Sequence, residues 1–387
     1  MAGSLRKRGN KWYYSYETFD SLGNKKRVER VGGVTKKEAQ QKLNEALYKR
    51  DCGFIESDNT LLKDYLNNWL ETYIKPNRKD NTYYRYKGII QNAINPVIGS
   101  IQLRNLKPIH IEKMLNYNKE RGLKNTTLQN IFTALNSSLN RALKLQLINN
   151  NVCKFVDRPK RERFVAETLS IEEFHTILNS LNNEDFRDYI MKLALTMTLE
   201  LGLRRGELSG LTWDNIDFKN NKIKIENNFI KTNAGVKVTT PKTEESKRTL
   251  VVSGSLISML KEHKKILLQN KINYGEFYTN ENILDGKKYD FVFIWESGIY
   301  IDPNYWTHRF SRVLKKLSIN KKIRWHDLRH TNATLLLSQG VNFKTIQIRL
   351  GHADINTTLN IYSHVTEEMQ REASEKITNL MQLPKAK

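Results

Sequence analysis

Cysteine is almost missing from this chain: Cys52 and Cys153 are the only two in 387 residues, and they stand far apart. A disulfide framework is thereby excluded, and so is a four-thiolate zinc site. No apolar run is long enough to span a membrane and no signal peptide opens the chain, so a cytoplasmic protein without a membrane partner is expected. Acidic residues are in short supply too. The 41 Asp and Glu are outnumbered by 64 Lys and Arg, a formal net charge of +23. Such a balance points to a polyanionic partner, nucleic acid before others. A protein that is basic only to stay dispersed fits less well, because the charge lies in blocks and beside aromatic residues.

What is present favours a folded, divided chain. Hydrophobic residues make up 39% and aromatic residues 10% of the sequence, enough to build cores. The length exceeds what one ordinary core organises, so two or three domains are expected. There is no internal repeat and no low-complexity tract.

The first fifty residues read as a unit of their own, with 13 Lys and Arg against 5 Asp and Glu. "KWYYSYETF" (11–19) alternates as a strand, with Trp12, Tyr14 and Tyr16 on one face and Tyr13 and Ser15 on the other. "DSLGN" supplies turn chemistry, and "KKRVERVGGV" returns as a second strand bearing Lys25, Lys26 and Arg27. Thr35 caps a helix with Ala39, Leu43, Ala46 and Leu47 on one stripe. A small sheet with rings and cations on its open face can enter a DNA major groove, which makes Trp12, Tyr14, Tyr16, Lys25, Lys26 and Arg27 candidate contacts. A sheet packed on its own helix with a solvated basic face explains the composition equally well.

From 60 to 156 the pattern is helical, punctuated by Pro76, Pro96, Pro108, Gly99 and Gly122. Within it Tyr84, Arg85 and Lys87 mix rings and cations in a way that suits a phosphate backbone, and equally a half-buried surface. "DRPKRERF" (157–164) reads as a basic linker, and its Arg158 and Lys160 are further candidates for a DNA backbone. Beyond it helices, alternating strands and helices again follow one another.

Three pieces of the last segment hold polar residues that packing alone explains poorly. In "LGLRRGELSGL" (201–211), Leu201, Leu203, Leu208 and Leu211 form an apolar face; Arg204 adjoins it, with Glu207 one turn on to orient it. In "GVKVTTPKTEESKRTLVVS" two alternating segments flank Lys242, which is expected at the tip of a hairpin. In "WHDLRHTNATLLLSQG" (325–340), His326, Arg329 and His330 crowd a helix start, where positive groups are unfavourable. Four of the eight histidines, at 326, 330, 352 and 364, fall in this final stretch, together with Tyr362.

Three causes compete. The His326-x-x-x-His330 spacing is that of a zinc-binding helix, but Asp327 and Arg329 suit a metal poorly, so no metal is expected. A helix-turn-helix DNA reader has the right size but leaves Arg204, Lys242 and Tyr362 idle. A phosphodiester site uses them all: two arginines on the non-bridging oxygens, a tyrosine nucleophile and a lysine to protonate the leaving oxygen.

Together these pieces resemble the tyrosine recombinases, also called phage-type integrases, over most of the chain. "LGLRRGELSGL" resembles the family's first arginine motif, "PKTEESKRTL" its lysine segment, "HDLRHTNATLLLSQG" its His-x-x-Arg motif and "LGHADINTTLNIYSHV" its region of His and nucleophilic Tyr. The resemblance implies that Tyr362 is the nucleophile, forming a 3′-phosphotyrosyl link and freeing a 5′-hydroxyl. It implies that Arg204 and Arg329 clamp the scissile phosphate and that Lys242 is the general acid. His326 assists proton transfer at Tyr362, His352 binds a non-bridging oxygen and Glu207 supports Arg204. No ATP, metal or other cofactor is implied, in keeping with a sequence that has neither a Walker motif nor a carboxylate cluster suited to magnesium.

The fold class implied is multidomain α+β: a small N-terminal sheet-plus-helix arm-binding domain over 1–55, an all-α core-binding domain over 60–156, and a mixed, mainly α catalytic domain with a small β-sheet and a C-terminal tail over 165–387. The implied partners are double-stranded DNA at core and arm sites and three further copies of the chain, a homotetramer on two duplexes. An excisionase and a host DNA-bending protein are candidate helpers. The arm-like unit turns the expectation to a mobile-element integrase, from a phage or a conjugative transposon. A type IB topoisomerase and a non-catalytic helix-turn-helix regulator are the alternatives.

Overall fold

The structure of the protein is a computed structural model describing residues 3–19, 25–51, 60–160, 167–232, 235–240, 246–279 and 281–351, with 371, 374, 375, 377, 378 and 381 beyond. The chain forms two compact units, Met1–Arg163 and Phe164–Lys387.

The first unit begins with a three-stranded antiparallel sheet, β1 (Ser4–Arg8), β2 (Lys11–Phe19) and β3 (Lys25–Gly33), in that order, backed by α1 (Lys36–Asp51). β1 is an addition to the two strands expected. Its alternation is hidden by four charged or polar residues among five. Cross-strand pairing puts Leu5 beside Tyr14, and Tyr16 beside Val28, on the face that meets α1. Tyr14, Tyr16 and Leu43 are the buried core of this sheet and helix.

That packing corrects one expectation. Tyr14 and Tyr16 are not on an open face: a small sheet has only one helix to cover it, and its largest rings go to the covered side. Trp12 lies at the edge of the same side, with the Lys36 ammonium 5.8 Å from its ring centre. The open face instead carries Arg6, Arg8, Tyr13 and Arg27, with Arg8 over the Tyr13 ring at 5.5 Å. Lys25, Lys26 and Arg27 are exposed.

The helices that follow are α2 (62–77), α3 (80–98), α4 (Pro108–Glu120) and α5 (Asn125–Lys144). Pro76 and Pro96 do not end α2 and α3 as punctuation would suggest. Each sits just after a π turn, at Leu70–Ile74 and Ile90–Ile94 respectively. A proline cannot donate to the carbonyl one turn back and its ring crowds that carbonyl; opening the helix by one residue ahead of it relieves both faults. Leu62, Leu66, Trp69, Ile90, Ile94, Ile111 and Leu135 are central to the helical core. Tyr84 is half-buried, Arg85 is exposed, and Lys87 lies 5.9 Å from the Tyr83 ring centre. Arg158 and Lys160 are exposed.

The second unit holds α6 (Ile171–Asn179), α7 (Phe186–Leu201) and the short α8 (Arg205–Ser209), then β4 (Ile216–Asp217), β5 (Lys222–Ile225), β6 (Asn228–Thr232), β7 (Gly235–Thr239) and β8 (Arg248–Val251). After α9 (Gly254–Tyr274), a two-residue pair of strands and α10 (Asn304–Lys316) come α11 (Asp327–Ser338) and α12 (Phe343–Leu350). Trp306, Phe310 and Trp325 are packed together in the core, so α10 and the start of α11 are anchored by their largest rings.

Strand pairing corrects a second expectation. β7 pairs with β6, whereas β8 pairs with β5 in the sheet β4-β5-β8. The strands flanking Lys242 therefore belong to different sheets and do not form a hairpin with each other. Alternation identifies a strand but not its partner, which is decided by long-range packing. Lys242 itself lies outside the described residues.

Candidate active site

The end of α7 turns sharply at Gly202, whose left-handed backbone (φ 61°) closes the helix. A side chain here would be strained, and an added Cβ would stand 2.3 Å from Leu350 Cδ2. The turn directs Leu203 into the core and leaves Arg204 at the start of α8, a third exposed. Leu201, Leu208 and Leu211 are buried beside it, so the leucine face expected from "LGLRRGELSGL" fixes where this arginine stands.

Glu207 follows one turn later and is 2% exposed. One carboxylate oxygen accepts from Arg204 Nη1 at 2.6 Å; the other accepts from the Arg204 backbone N–H at 3.0 Å and from Arg248 Nη2 at 2.9 Å. Burial works against its ionisation. Arg248 above all, then Arg204 and Arg329, outweigh that and hold the carboxyl down at about 2. Arg248 also donates to the carbonyls of Arg349 at 2.7 Å and Ser246 at 3.1 Å, tying β8 to the end of α12.

Arg329 rises from the first turn of α11 and is 1% exposed. It donates to the Gly202 carbonyl at 2.7 Å and to the Leu350 carbonyl. Arg204 Nη2 reaches the next carbonyl, Gly351, at 3.1 Å. Two arginines from distant helices thus end on consecutive carbonyls at the close of α12. Asn332, one turn beyond Arg329, donates to the Leu199 and Glu200 carbonyls, and Arg349 donates to Glu200 as well. Three arginines, Arg204, Arg248 and Arg329, surround a single buried carboxylate, which leaves the corner strongly positive.

The crowding of positive groups at the start of α11 is smaller than the sequence suggests. Burial lowers the His326 pKa, with His330, Arg329 and Arg204 adding to the shift and Asp327 opposing it. By surface area the residue as a whole is exposed while its ring packs against His330, and that exposure moderates the shift without reversing it. His330, one turn on, is lowered chiefly by burial, and the two rings meet edge to face at 5.2 Å. Both are neutral at pH 7. Arg324 is matched by a two-pronged bond to the fully buried Asp327. Arg329 remains as the cation of the first turn, with backbone carbonyls for partners.

The structure brings together Arg204, Glu207, Arg329 and His326. Lys242, His352 and Tyr362 lie outside the described residues, as does nearly all of the tail, in which Ile377 and Met381 are described and exposed. The other candidates, Trp12, Tyr14, Tyr16, Lys25, Lys26, Arg27, Tyr84, Arg85, Lys87, Arg158 and Lys160, belong to the first unit. Sequence reasoning missed Arg248, Arg349 and Asn332. A signal for Arg248 was available: strand alternation places it on the same inward face as Leu250, where an unpaired charge would be untenable. Arg349 and Asn332 carry no such signal, since a helical residue between apolar neighbours is usually only surface.

Comparison with known proteins points to one family. The phage integrase family matches residues 167–369, and its N-terminal SAM-like domain matches 61–119. A tyrosine recombinase XerC-like protein of Caldanaerobacter subterraneus is 30% identical, covering 97% of both chains. The integrase of Staphylococcus phage L54a is 27% identical over 88% of this chain and 99% of its own. The ICEBs1 integrase of Bacillus subtilis is 27% identical over 78% and 79% respectively. Among solved structures, the Tn1549 transposon integrase in complex with a circular intermediate DNA superposes with a TM-score of 0.67 at 22% identity, covering 82% of this chain and 99% of that one. The lambda integrase tetramer bound to a Holliday junction gives 0.60 at 18% identity, covering 92% and 94%. From the leucine-backed arginine corner to these full-length likenesses, the chain belongs to the phage integrase family of tyrosine recombinases.

Proposed function

We propose that this chain integrates and excises a mobile element by cutting and rejoining DNA at specific sites, with no cofactor. Tyr362 attacks the scissile phosphorus; its phenolic oxygen forms the 3′-phosphotyrosyl bond as the bond to the 5′-oxygen breaks. Lys242 delivers the proton to that leaving oxygen. His326, neutral at pH 7, takes the tyrosine proton, and His352 donates to a non-bridging oxygen. Arg204 and Arg329 offset the charge of the pentacoordinate phosphate, Arg204 from its open position and Arg329 from behind it. Attack by a 5′-hydroxyl on the phosphotyrosyl bond reverses each step, so bond energy is conserved and ATP is not required.

The observation that carries this reading is the convergence of Arg204 and Arg329 on the carbonyls of Gly351 and Leu350. It brings two guanidinium groups to the close of α12, and His352 is the next residue in the sequence. Support for a mobile-element role comes from relatives named as phage and ICEBs1 integrases. In the same reading, 1–55 is an arm-type DNA-binding domain, 60–156 a core-binding domain and 165–387 the catalytic domain. Four copies act on two duplexes in the cytoplasm, with an excisionase and a host DNA-bending protein as helpers.

The test is a nicked duplex carrying the joined ends of the element, incubated with the protein in EDTA and run on a denaturing gel. Wild type is expected to give a slow protein–DNA band and Tyr362→Phe to bind without one. Binding by both with no band from either favours a non-catalytic DNA-binding regulator.

A further inference from the structure

The helical part of the first unit has a polar concavity along α5 that catalysis leaves unused. Thr133, Asn136, Asn140, Arg141 and Lys144 line it, with Arg78 facing them. Its chemistry is set from beneath by Asn151, which is fully buried.

Asn151 Oδ1 accepts from the backbone N–H of Cys153 at 3.0 Å. Only the oxygen of an amide can accept, so this bond decides which end of the side chain is which. Asn151 Nδ2 must then donate, and it lies 2.7 Å from the side-chain oxygen of Asn136 and 2.8 Å from that of Asn140. With both oxygens turned to Asn151, the two Nδ2 groups are left for the concavity. Among the described residues, neither donates to a protein acceptor. One helical turn separates Asn136 from Asn140, so the donors form a row roughly 6 Å long on one helix face. Arg141, stacked 4.5 Å above the Tyr73 ring, and Lys144 continue the row with positive charge.

A row that offers only donors cannot make the two-pronged contact by which asparagine reads adenine, because that contact also needs an acceptor for N6. It fits base edges that present acceptors, and guanine presents two in the major groove, N7 and O6. The donor spacing matches about two steps along a DNA strand. Resting on the recombinase reading above, we propose that Asn136 and Asn140, held by Asn151, read guanine at two positions of the core site about two base pairs apart, while Arg141 and Lys144 bind adjoining phosphates.

The full-length protein tests this by capture from a pool of random-sequence duplexes, with the bound fraction sequenced. Wild type is expected to enrich a motif with two guanines about two base pairs apart. Asn136→Ala and Asn140→Ala should each erase one of them, a loss of discrimination of about tenfold, and leave the rest of the motif. Replacing either guanine by 7-deazaguanine should weaken wild-type binding and leave the corresponding variant unaffected, a readout independent of any folding defect. Asn151→Asp cannot donate, so both amides must turn their oxygens outward and the preference should move to the amino edges of cytosine and adenine. If both alanine variants enrich the wild-type motif unchanged, the inference is wrong and the recombinase reading stands. If they lose affinity equally for every sequence, with a shallower salt dependence, the pair binds phosphate and the inference is likewise wrong. A wild-type protein that enriches no motif overturns both.

Discussion

Glu207 and Arg248, drawn from α8 and β8, form a buried ion pair at 2.9 Å whose carboxylate also holds Arg204 at 2.6 Å. The pair links the open arginine of the site to the strand that follows Lys242. Removing Arg248 as Arg248→Met leaves a buried carboxylate with half its partners, and breaking such a pair destabilises by about 3–5 kcal/mol. Urea unfolding should show a loss of that size. Arg248→Lys should recover part of it, because a single ammonium cannot serve both Glu207 and the Arg349 carbonyl.

Gly202 should not accept a side chain. Its left-handed backbone and the nearness of Leu350 act together, so Gly202→Ala is expected to destabilise by about 1–3 kcal/mol. Because the Gly202 carbonyl receives Arg329, strand cleavage should fall further than stability does. Unfolding midpoints measured beside single-turnover cleavage separate the two effects. Equal stability of the variant and wild type would contradict the account of this turn.

Much of this corner was legible in the sequence, and the reasons are specific. Leu201, Leu203, Leu208 and Leu211 mark a buried face by spacing alone, and the arginine next to them has nowhere else to stand. Helix ends at Gly340 and Gly351 are likewise local signals. What was not legible depends on contacts between distant segments: the pairing of β8 with β5 rather than β7, and the burial of Tyr14 and Tyr16 against α1. The joint use of Glu207 by two arginines 44 positions apart in sequence (248 − 204) is of the same kind.

Acid should weaken the second unit through His263. Its ring is fully buried, with Nε2 donating to the Val292 carbonyl at 2.9 Å and Nδ1 accepting from the Tyr189 hydroxyl at 3.3 Å. Burial pushes its pKa down from 6.5 to about 4. The unfolded chain therefore takes up a proton near pH 6.5 that the folded chain refuses until about pH 4. Stability is full above pH 6.5 and falls as pH drops toward 4, by roughly 3 kcal/mol in all. Glu207, held at about 2, adds a further loss below the ordinary carboxylate range. Urea unfolding between pH 7.5 and 4.5 should show this slope, reduced in His263→Gln; a flat wild-type profile would contradict it.

His326 should work as a neutral ring. Since its pKa is lowered, the cleavage rate of wild type is expected to stay level from pH 8 down through 6.5. His326→Gln keeps a polar side chain but cannot take the tyrosine proton, and its cleavage rate should fall by about 10²–10⁴ with DNA binding retained. A break in the wild-type rate near pH 6.5 would show that the ring titrates normally.

The most direct measurement is the identity of the covalent link. Trapped protein–DNA adduct would be digested with protease and nuclease and the modified peptide sequenced by mass spectrometry, with the freed DNA end tested for labelling by a 5′-kinase. The expected result is a 3′-linked nucleotide on Tyr362 and a free 5′-hydroxyl. A nucleotide on any other residue, or a 5′-linked one, would contradict the proposed chemistry at its centre.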